Sequence, residues 1–438
     1  IKSDATGNGS VIITTVGSNG DYVTVERYIP AYSGSDDGWH TIASPVDNMT
    51  ITGSDFFPGA NDDLYKWDEP NNIWENYKAG WGDDNLYATE GYLVAYETSA
   101  TKNFYGLLTN WDWDLFPLSY TPTEGNGWNL LGNPFPSAIE WGTADWALTN
   151  VGGVAQIWND AGGNYISRNA GDIIPSTNGF FVQVSSATNS MTIPTSARVH
   201  NTTNNYKSSR VEEMDETLLL TITNEENTYY DVNRIGFRND ATEEWDIAFD
   251  AHKMFGSSTA PQLWTVSNDE IFSQNYLPYV YESYQLPLNF RAGVNSTYHL
   301  NFEGVESFFP NSEIHLEDVL LDKIIDLREQ QLYDFMASTD DSEDRFILHF
   351  YGVTTTGDKP ELNDTRIFSQ HNTIYIQSGQ MPKDAYRIEV FNVMGQTVYA
   401  ERMEPTTLGS FTLNEKTGVY VVRVYGDKQT IVQKVMIK

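Results

Sequence analysis

A chain of 438 residues is too long for one ordinary core, and its 40% apolar and 13% aromatic content suits two to four β-rich globular domains and excludes a disordered polymer. The absence of cysteine excludes disulfides and thiolate zinc sites, and a formal charge of −34 excludes a nucleic-acid partner, because such a surface repels phosphate. The charge is uneven: −15 over residues 1–209, −22 over 210–365 and +3 over 366–438, a pattern that keeps a protein surface solvated and could also hold calcium.

Strand signals run the whole length. VIITTV, YVTVERYI, GYLVAY, GFFVQV, LLLTIT, RFILHF, TIYIQ, YRIEVFNV and GVYVVRVY are short β-branched or aromatic runs bounded by Gly, Asn, Asp and Pro. Only EDVLLDKIIDLREQQLYDF invites helical turns, and a strand reading competes there. No apolar run reaches the roughly 18 residues that would span a bilayer. The chain opens at Ile1 without a basic-then-apolar leader, so a processed form or a piece of a longer product is expected, with a passenger upstream. The fold class read from these signals is all-β, in several β-sandwich or jelly-roll modules.

One phrase occurs twice. GWHTIASPV begins at Gly38 and GWNLLGNPFP at Gly127, which sets Trp39 and Trp128, like Pro45 and Pro134, 89 residues apart. Gly91-Tyr92-Leu93-Val94 is echoed by Gly179-Phe180-Phe181-Val182, Asn76-Tyr77 by Asn164-Tyr165, and Leu64-Tyr65 more loosely by Ile157-Trp158. Two diverged copies of a unit of about 88 residues are therefore expected over residues 1–205. A polar linker near 198–216 leads to an acidic β-sandwich over 206–358. TTTGDKPELNDTR marks a second boundary, and the last compact unit occupies 359–438.

Chemistry is sparse in the sequence. There is no Gly-x-Ser-x-Gly elbow, His-Glu-x-x-His pair, phosphate loop, dinucleotide fingerprint or EF-hand loop, and the seven histidines are scattered. The chain is read as no enzyme and as needing no cofactor beyond a possible calcium. Asp62, Asp63, Asp83 and Asp84 offer the hard oxygen ligands that calcium prefers, although exposed turns use the same residues. Ten of the twelve tryptophans fall in the first 158 residues. Trp39 and Trp128 are expected in the core. Trp74, Trp81, Trp111 and Trp113 stand in Asn- and Asp-rich loops, where an indole beside polar groups could stack on a sugar or simply cap a sandwich.

The C-terminal run YRIEVFNVMGQTVYAERM, followed by FTLNEKTGVYVVRVYGDKQTIVQKVMIK, resembles the type A C-terminal sorting domain of the type IX secretion system of Bacteroidetes. The residues carrying the match are Asn392, Gly395 and Val398 in the turn, Gly418 and Tyr420 in the next strand, and Lys434 and Lys438 in the last. More weakly, the Gly-Trp phrases resemble non-catalytic β modules that precede such sorting domains in large surface proteins. The resemblance implies an immunoglobulin-like final domain and passage through the type IX translocon. It also implies cleavage by a sortase-like peptidase near Thr354–Asp364 and anchorage to lipopolysaccharide, leaving the protein secreted or attached to the outer-membrane surface. The function expected is that of a structural or adhesive surface protein; the alternative is a carbohydrate-binding module of a polysaccharide-degrading protein.

Overall fold

Apolar residues alternating with polar ones along short segments have one outcome when the segments pair, a sheet with one face buried. The computed structural model describes residues 1–14, 22–34, 37–123, 125–143, 145–200, 217–309, 312–353, 365–378, 386–393, 395–403, 408–425 and 430–437. Of the linker expected near 198–216 and the boundary stretch 354–366, residues 201–216 and 354–364 lie outside them, as does Lys438; Arg198–Val199 is instead a short strand paired with Ala138–Ile139, and Thr365 and Arg366 open a strand. Among the described residues there is no α-helix and only three single-turn 3-10 segments. Contacts divide the chain into two units, Ile1–Thr354 and Thr355–Lys438.

The first copy of the repeat supplies eight strands: β1 (Tyr22–Ile29), β2 (His40–Ala43), β3 (Asn48–Thr50), β4 (Asp63–Asp68), β5 (Ile73–Asn76), β6 (Asn85–Tyr87), β7 (Gly91–Ala95) and β8 (Ala100–Leu107). One sheet runs β2-β7-β4-β5; opposite it stand the pairs β1-β8 and β3-β6. The backbone N–H of Asp47 joins those two pairs by donating to Leu107 O at 3.0 Å. The inner faces enclose Val25, Ile42, Phe56, Leu64, Leu86, Val94 and Phe104. This order is that of a jelly roll, in which two Greek keys close a double sheet.

The second copy repeats it strand for strand: β9 (Trp113–Leu115), β10 (Trp128–Gly132), β11 (Ala138–Glu140), β12 (Ala155–Asn159), β13 (Asn164–Arg168), β14 (Ile173–Ile174), β15 (Gly179–Gln183) and β16 (Ser190–Ile193). Its sheet runs β10-β15-β12-β13, with β9-β16 and β11-β14 opposite, around Phe135, Ile139, Trp141, Ile157 and Phe180; two short strands without counterparts in the first copy are added, Leu148–Thr149 beside β16 and Arg198–Val199 beside β11. Ala43 faces Gly91 in the first copy as Gly132 faces Gly179 in the second, so the Gly-Trp and Gly-aromatic anchors are true equivalents. The register corrects the looser echoes. Tyr65 lies opposite Leu93 and Gln156 opposite Phe181, so Tyr65 answers to Gln156, and Trp67 to Trp158. In the hairpins Trp67 faces Trp74 and Trp158 faces Tyr165, which makes Trp74 and Tyr165 partners 91 residues apart. Loops on either side of this hairpin differ in length between copies, and residue spacing alone hides the shift.

The two copies meet through equivalent residues. Trp67 Nε1 donates to Trp128 O at 2.7 Å, and Trp158 Nε1 donates to Trp39 O at 2.6 Å. Ala43 N donates to Thr177 O at 3.0 Å, and Gly132 N donates to Thr89 O at 2.9 Å. Each contact has its mirror in the other copy, the signature of an isologous two-fold interface built within one chain. Gly91 and Gly132 allow the approach: a Cβ on Gly91 would lie 2.6 Å from Leu131 O, and one on Gly132 2.6 Å from Glu90 O. Trp128, Leu130 and Phe181, with Trp67, Trp74 and Tyr165 against them, fill the seam. The repeated phrase is thus an interface motif as much as a core motif; Trp128 is buried there and Trp39 only half-buried.

The third module comprises β17 (Thr217–Asn224), β18 (Tyr230–Phe237), β19 (Gln262–Ser267), β20 (Glu270–Leu277), β21 (Val280–Arg291), β22 (Ser296–Glu303), β23 (Glu313–Asp318), β24 (Lys323–Asp326), β25 (Leu332–Ala337) and β26 (Phe346–Val353). They form one sheet in the order β24-β23-β26-β21-β19-β20-β18-β17-β22-β25, antiparallel except for β18 beside β20, and the short strand Ala251–His252 also pairs with β20. The sheet curls until residues of both end strands, Ile325 and Tyr333, share one core. Inside the curl Arg345 donates twice to Asp318 Oδ2, at 3.2 and 2.9 Å, and once to Met336 O at 3.0 Å. The stretch that invited helical turns is therefore the β23-β24 hairpin leading into β25.

Polar contacts weld this module to the second jelly roll. Gln156 Nε2 donates to His252 O at 3.0 Å, His252 Nδ1 lies 2.8 Å from Gln183 Oε1, and Gln274 Nε2 donates to Asn169 Oδ1 at 2.7 Å. Main chain joins main chain where Gly153 N donates to Ile247 O at 2.8 Å and Ser257 N to Gly163 O at 2.7 Å. The boundary expected near residue 205 falls inside one compact unit.

The C-terminal unit is a small sandwich. β27 (Thr365–Gln370), β28 (Thr373–Ser378) and β31 (Leu408–Thr412) form one sheet; β30 (Thr397–Met403), β29 (Tyr386–Phe391), β32 (Gly418–Tyr425) and β33 (Thr430–Ile437) form the other. Ile374, Ile376, Ile388, Val390, Phe411, Tyr420, Val422 and Ile437 fill the space between them.

Candidate functional site

A concave site with converging polar groups lies where three loops of the large unit meet. Two of the loops are held by their own side chains. Asp37 accepts from Ser33 N at 2.8 Å and Gly34 N at 2.6 Å, and Gly38 takes φ +71° where a Cβ would strike Tyr32. In the β17-β18 turn Asn224 Oδ1 accepts from Glu226 N and Asn227 N, both at 2.9 Å. The third loop, between β12 and β13, closes with Gly163 N donating to Asp160 O at 3.2 Å. Together they shape a cleft of about 610 Å³ lined by Asp37, Asp160, Glu226, Asn227, Tyr229 and Thr259.

Behind the cleft stands His40, buried, with Nε2 3.9 Å from Asp160 Oδ2 and without a hydrogen bond. Burial lowers its pKa to about 3, aided by the Arg27 charge, so the ring is neutral at physiological pH. Burial raises Asp160 to about 6; the Asp37 charge adds to the rise, and the Gly38 and Trp39 N–H groups oppose it. The cleft can accept hydrogen bonds and favour cations, but it offers no nucleophile paired with a base. Nothing in the sequence unites positions 37, 160 and 226; only the Asp-Gly and Gly-Gly turn dipeptides announced that loops would be there.

A second perturbed carboxyl sits at the joint with the second jelly roll. Asp250 accepts from Asp246 N and Tyr276 N, both at 2.8 Å, and burial pushes it up to about 7. A carboxyl whose folded pKa lies above its unfolded value stabilises at low pH and loses that contribution as pH rises, here between about 4 and 7. His252, lowered to about 4 by burial, works oppositely below its unfolded pKa of 6.5. Asp250→Asn is therefore expected to gain in melting temperature relative to the native chain from pH 5 to pH 8, by an amount equivalent to about 1–3 kcal/mol. Thermal scans at the two pH values check this; a difference that does not change with pH contradicts it.

The tryptophans singled out for sugar stacking occupy three settings. Trp74 packs in the seam between the copies, 5.2 Å from Trp67 and 6.0 Å from Phe181. Trp81 leans on the first core between Tyr77 and Tyr92, its N–H donating to Asp83 O at 2.6 Å. Trp111 and Trp113 stand together, ring centres 5.5 Å apart; Trp113 turns toward the second core, and Trp111 is 49% exposed. Beside them Asp112 accepts from Thr195 N at 2.7 Å, and Asp114 from Thr192 Oγ1 at 2.7 Å.

The four aspartates considered for calcium are engaged in local structure. Asp62 accepts from Gly59 N at 3.0 Å and Glu97 N at 3.0 Å, while Asp63 accepts from Asn76 Nδ2 at 3.1 Å. Asp83 accepts from Asn85 Nδ2 at 3.0 Å, and Asp84 from Tyr77 Oη at 2.7 Å and Thr52 N at 3.0 Å. Among the described residues no three acidic or histidine side chains converge as a metal site would require.

In the C-terminal unit the motif residues build the framework. Gly395 takes φ +77°, its N–H donates to Asn392 O at 2.9 Å, and Asn392 Oδ1 accepts from Gln396 N at 3.0 Å, closing the β29-β30 turn. Val398 packs on the core. Tyr420 is buried, its hydroxyl donating to Lys416 O at 2.7 Å just before Gly418, and Lys434 is exposed on β33.

Comparison with known families agrees with this division. Residues 370–438 match the secretion system C-terminal sorting domain, and residues 147–350 match a domain of unknown function, DUF8693. The second match starts within the second jelly roll and runs through the curled sheet, as expected where the two are welded. No curated protein matches the chain. Among the described residues no helix is long and apolar enough to cross a membrane. With its final β unit matched as a sorting domain, the chain is a cargo protein of the type IX secretion system, addressed to that machinery and exported for secretion or attachment to the cell surface.

Proposed function

We propose that the large unit is a non-catalytic structural and adhesive module of the cell surface, for which the sorting domain is the export signal. The observation that carries this reading is the use of sheet faces. The outer face of the β10-β15-β12-β13 sheet, where a jelly roll could hold a ligand, is spent on the other copy through Trp128 and Phe181, and on the third module through Gln156 and Gln183. A design that consumes its binding faces in internal joints favours stiffness. In single-molecule stretching of the full chain, the large unit is expected to open in one main event, releasing roughly 120 nm at about 3.5 Å per residue. Three smaller events would contradict a single stiff element.

Carbohydrate binding is the second reading, favoured by one observation, the half-exposed Trp111 beside Trp113 and two carboxylates. Indole faces next to hydrogen-bonding groups suit sugar rings. On this reading Trp111→Ala abolishes retention on an immobilised polysaccharide panel while leaving the melting temperature unchanged. Native chain that is retained by no polysaccharide removes the reading.

A further inference from the structure

The third module holds two buried ion pairs that differ in completeness. Asp318 is well provided: besides Arg345 it accepts from Tyr333 Oη at 3.0 Å and from the N–H groups of Leu320 and Leu321 at 3.1 and 3.2 Å. Asp231, on β18, faces Lys253, which follows the short strand Ala251–His252. Their side chains are 0% and 1% exposed, and Lys253 Nζ lies 2.5 Å from Asp231 Oδ2. Leu263 N also donates to Oδ2, at 2.7 Å, whereas Asp231 Oδ1 is buried with no hydrogen bond. A carboxylate and an amine sealed from water and touching, with one oxygen left bare, are costly as ions and well placed as reactants.

We propose that Lys253 and Asp231 condense into an intramolecular isopeptide bond once the third module has folded. A first proton passes from the Lys253 ammonium to Asp231 Oδ1, and the free amine nitrogen Nζ then attacks Asp231 Cγ. Negative charge gathers on Oδ2, where the Leu263 N–H already points, as an oxyanion donor should. Two of the three ammonium protons pass to Oδ1, which no other group holds, and it leaves as water. An N–H remains in the new amide, so that one positive and one negative group become a neutral amide plus water, and no outside reagent is needed. Arg345 and Asp318 cannot follow this course, because a guanidinium held by several acceptors is not a nucleophile. The bond would fasten β18 to the segment whose His252 reaches Gln183, locking the joint between the third module and the second jelly roll.

Mass spectrometry of the full chain tests this directly. The expected intact mass is one water below that of the sequence. Trypsin should leave Lys253 uncleaved and yield a branched peptide joining Val211–Arg234 to Asn239–Arg291. Asp231→Ala and Lys253→Arg should both restore the mass calculated for their sequences. Full sequence mass in the native chain, with ordinary cleavage after Lys253, overturns the proposal without any variant having to fold. A missing water whose peptides show Lys253 free overturns it equally.

Discussion

Arg345→Ala is expected to destabilise the large unit by about 3–5 kcal/mol, the usual consequence of removing one partner of a buried ion pair. The side chain is 1% exposed and has three tasks: it neutralises Asp318, caps Met336 O and stacks at 4.2 Å over Phe335. Without it the Asp318 carboxylate stays buried among neutral donors, on the seam where the curled sheet meets itself. Replacing both partners together, Arg345→Met with Asp318→Leu, should recover most of the loss, since no charge is then stranded. Denaturant titrations of the single and double variants check both statements. A single variant within about 1 kcal/mol of the native chain would mean that the pair does not hold the curl.

The second large effect belongs to the seam between the jelly rolls. Trp158→Ala should cost about 3–5 kcal/mol, because a nearly buried indole is deleted from a packed joint. Trp158→Phe keeps most of the ring and removes only the N–H donated to Trp39 O, so a loss of about 1 kcal/mol is expected. Trp67→Phe should match it closely, since Trp67 makes the mirror-image bond to Trp128 O. Equal losses for the two Phe variants support the two-fold reading of the joint. A loss for one and none for the other would make the symmetry geometrical without being energetic.

How far the sequence discloses this architecture depends on how local each signal is. Strands such as YVTVERYI and GVYVVRVY carry their period in adjacent residues, and Gly395 sits where a tight turn needs positive φ, so the all-β class and the sorting domain are legible. The doubled Gly-Trp phrase is legible as a repeat because its anchors flank the strands β2, β7, β10 and β15, whose register keeps them in step. The hairpin between is not, since loop-length changes move Trp74 onto Tyr165 and spoil the spacing. EDVLLDKIIDLREQQLYDF is ambiguous for a physical reason: Leu320, Leu321 and Ile324 are apolar yet exposed around a hairpin tip, which imitates helical spacing. The cleft and the buried pairs are invisible because each joins residues far apart in sequence, Asp160 with Asp37 and Glu226, and Lys253 with Asp231. The polar stretch near residue 205 separates the second jelly roll from the third module along the chain but carries no sign of how the two are joined. The joint between the second jelly roll and the third module is made by Gln156, Gln183 and His252, none of which lies near that stretch in sequence.

Both jelly rolls and the curled sheet, joined by main-chain and buried polar contacts, should unfold as one cooperative body. Differential scanning calorimetry of the full chain tests it most directly. One transition is expected for residues 1–354, with calorimetric and van't Hoff enthalpies in agreement, apart from that of the sorting domain. Separate transitions for the jelly rolls and the curled sheet, or a van't Hoff enthalpy far below the calorimetric one, would contradict it.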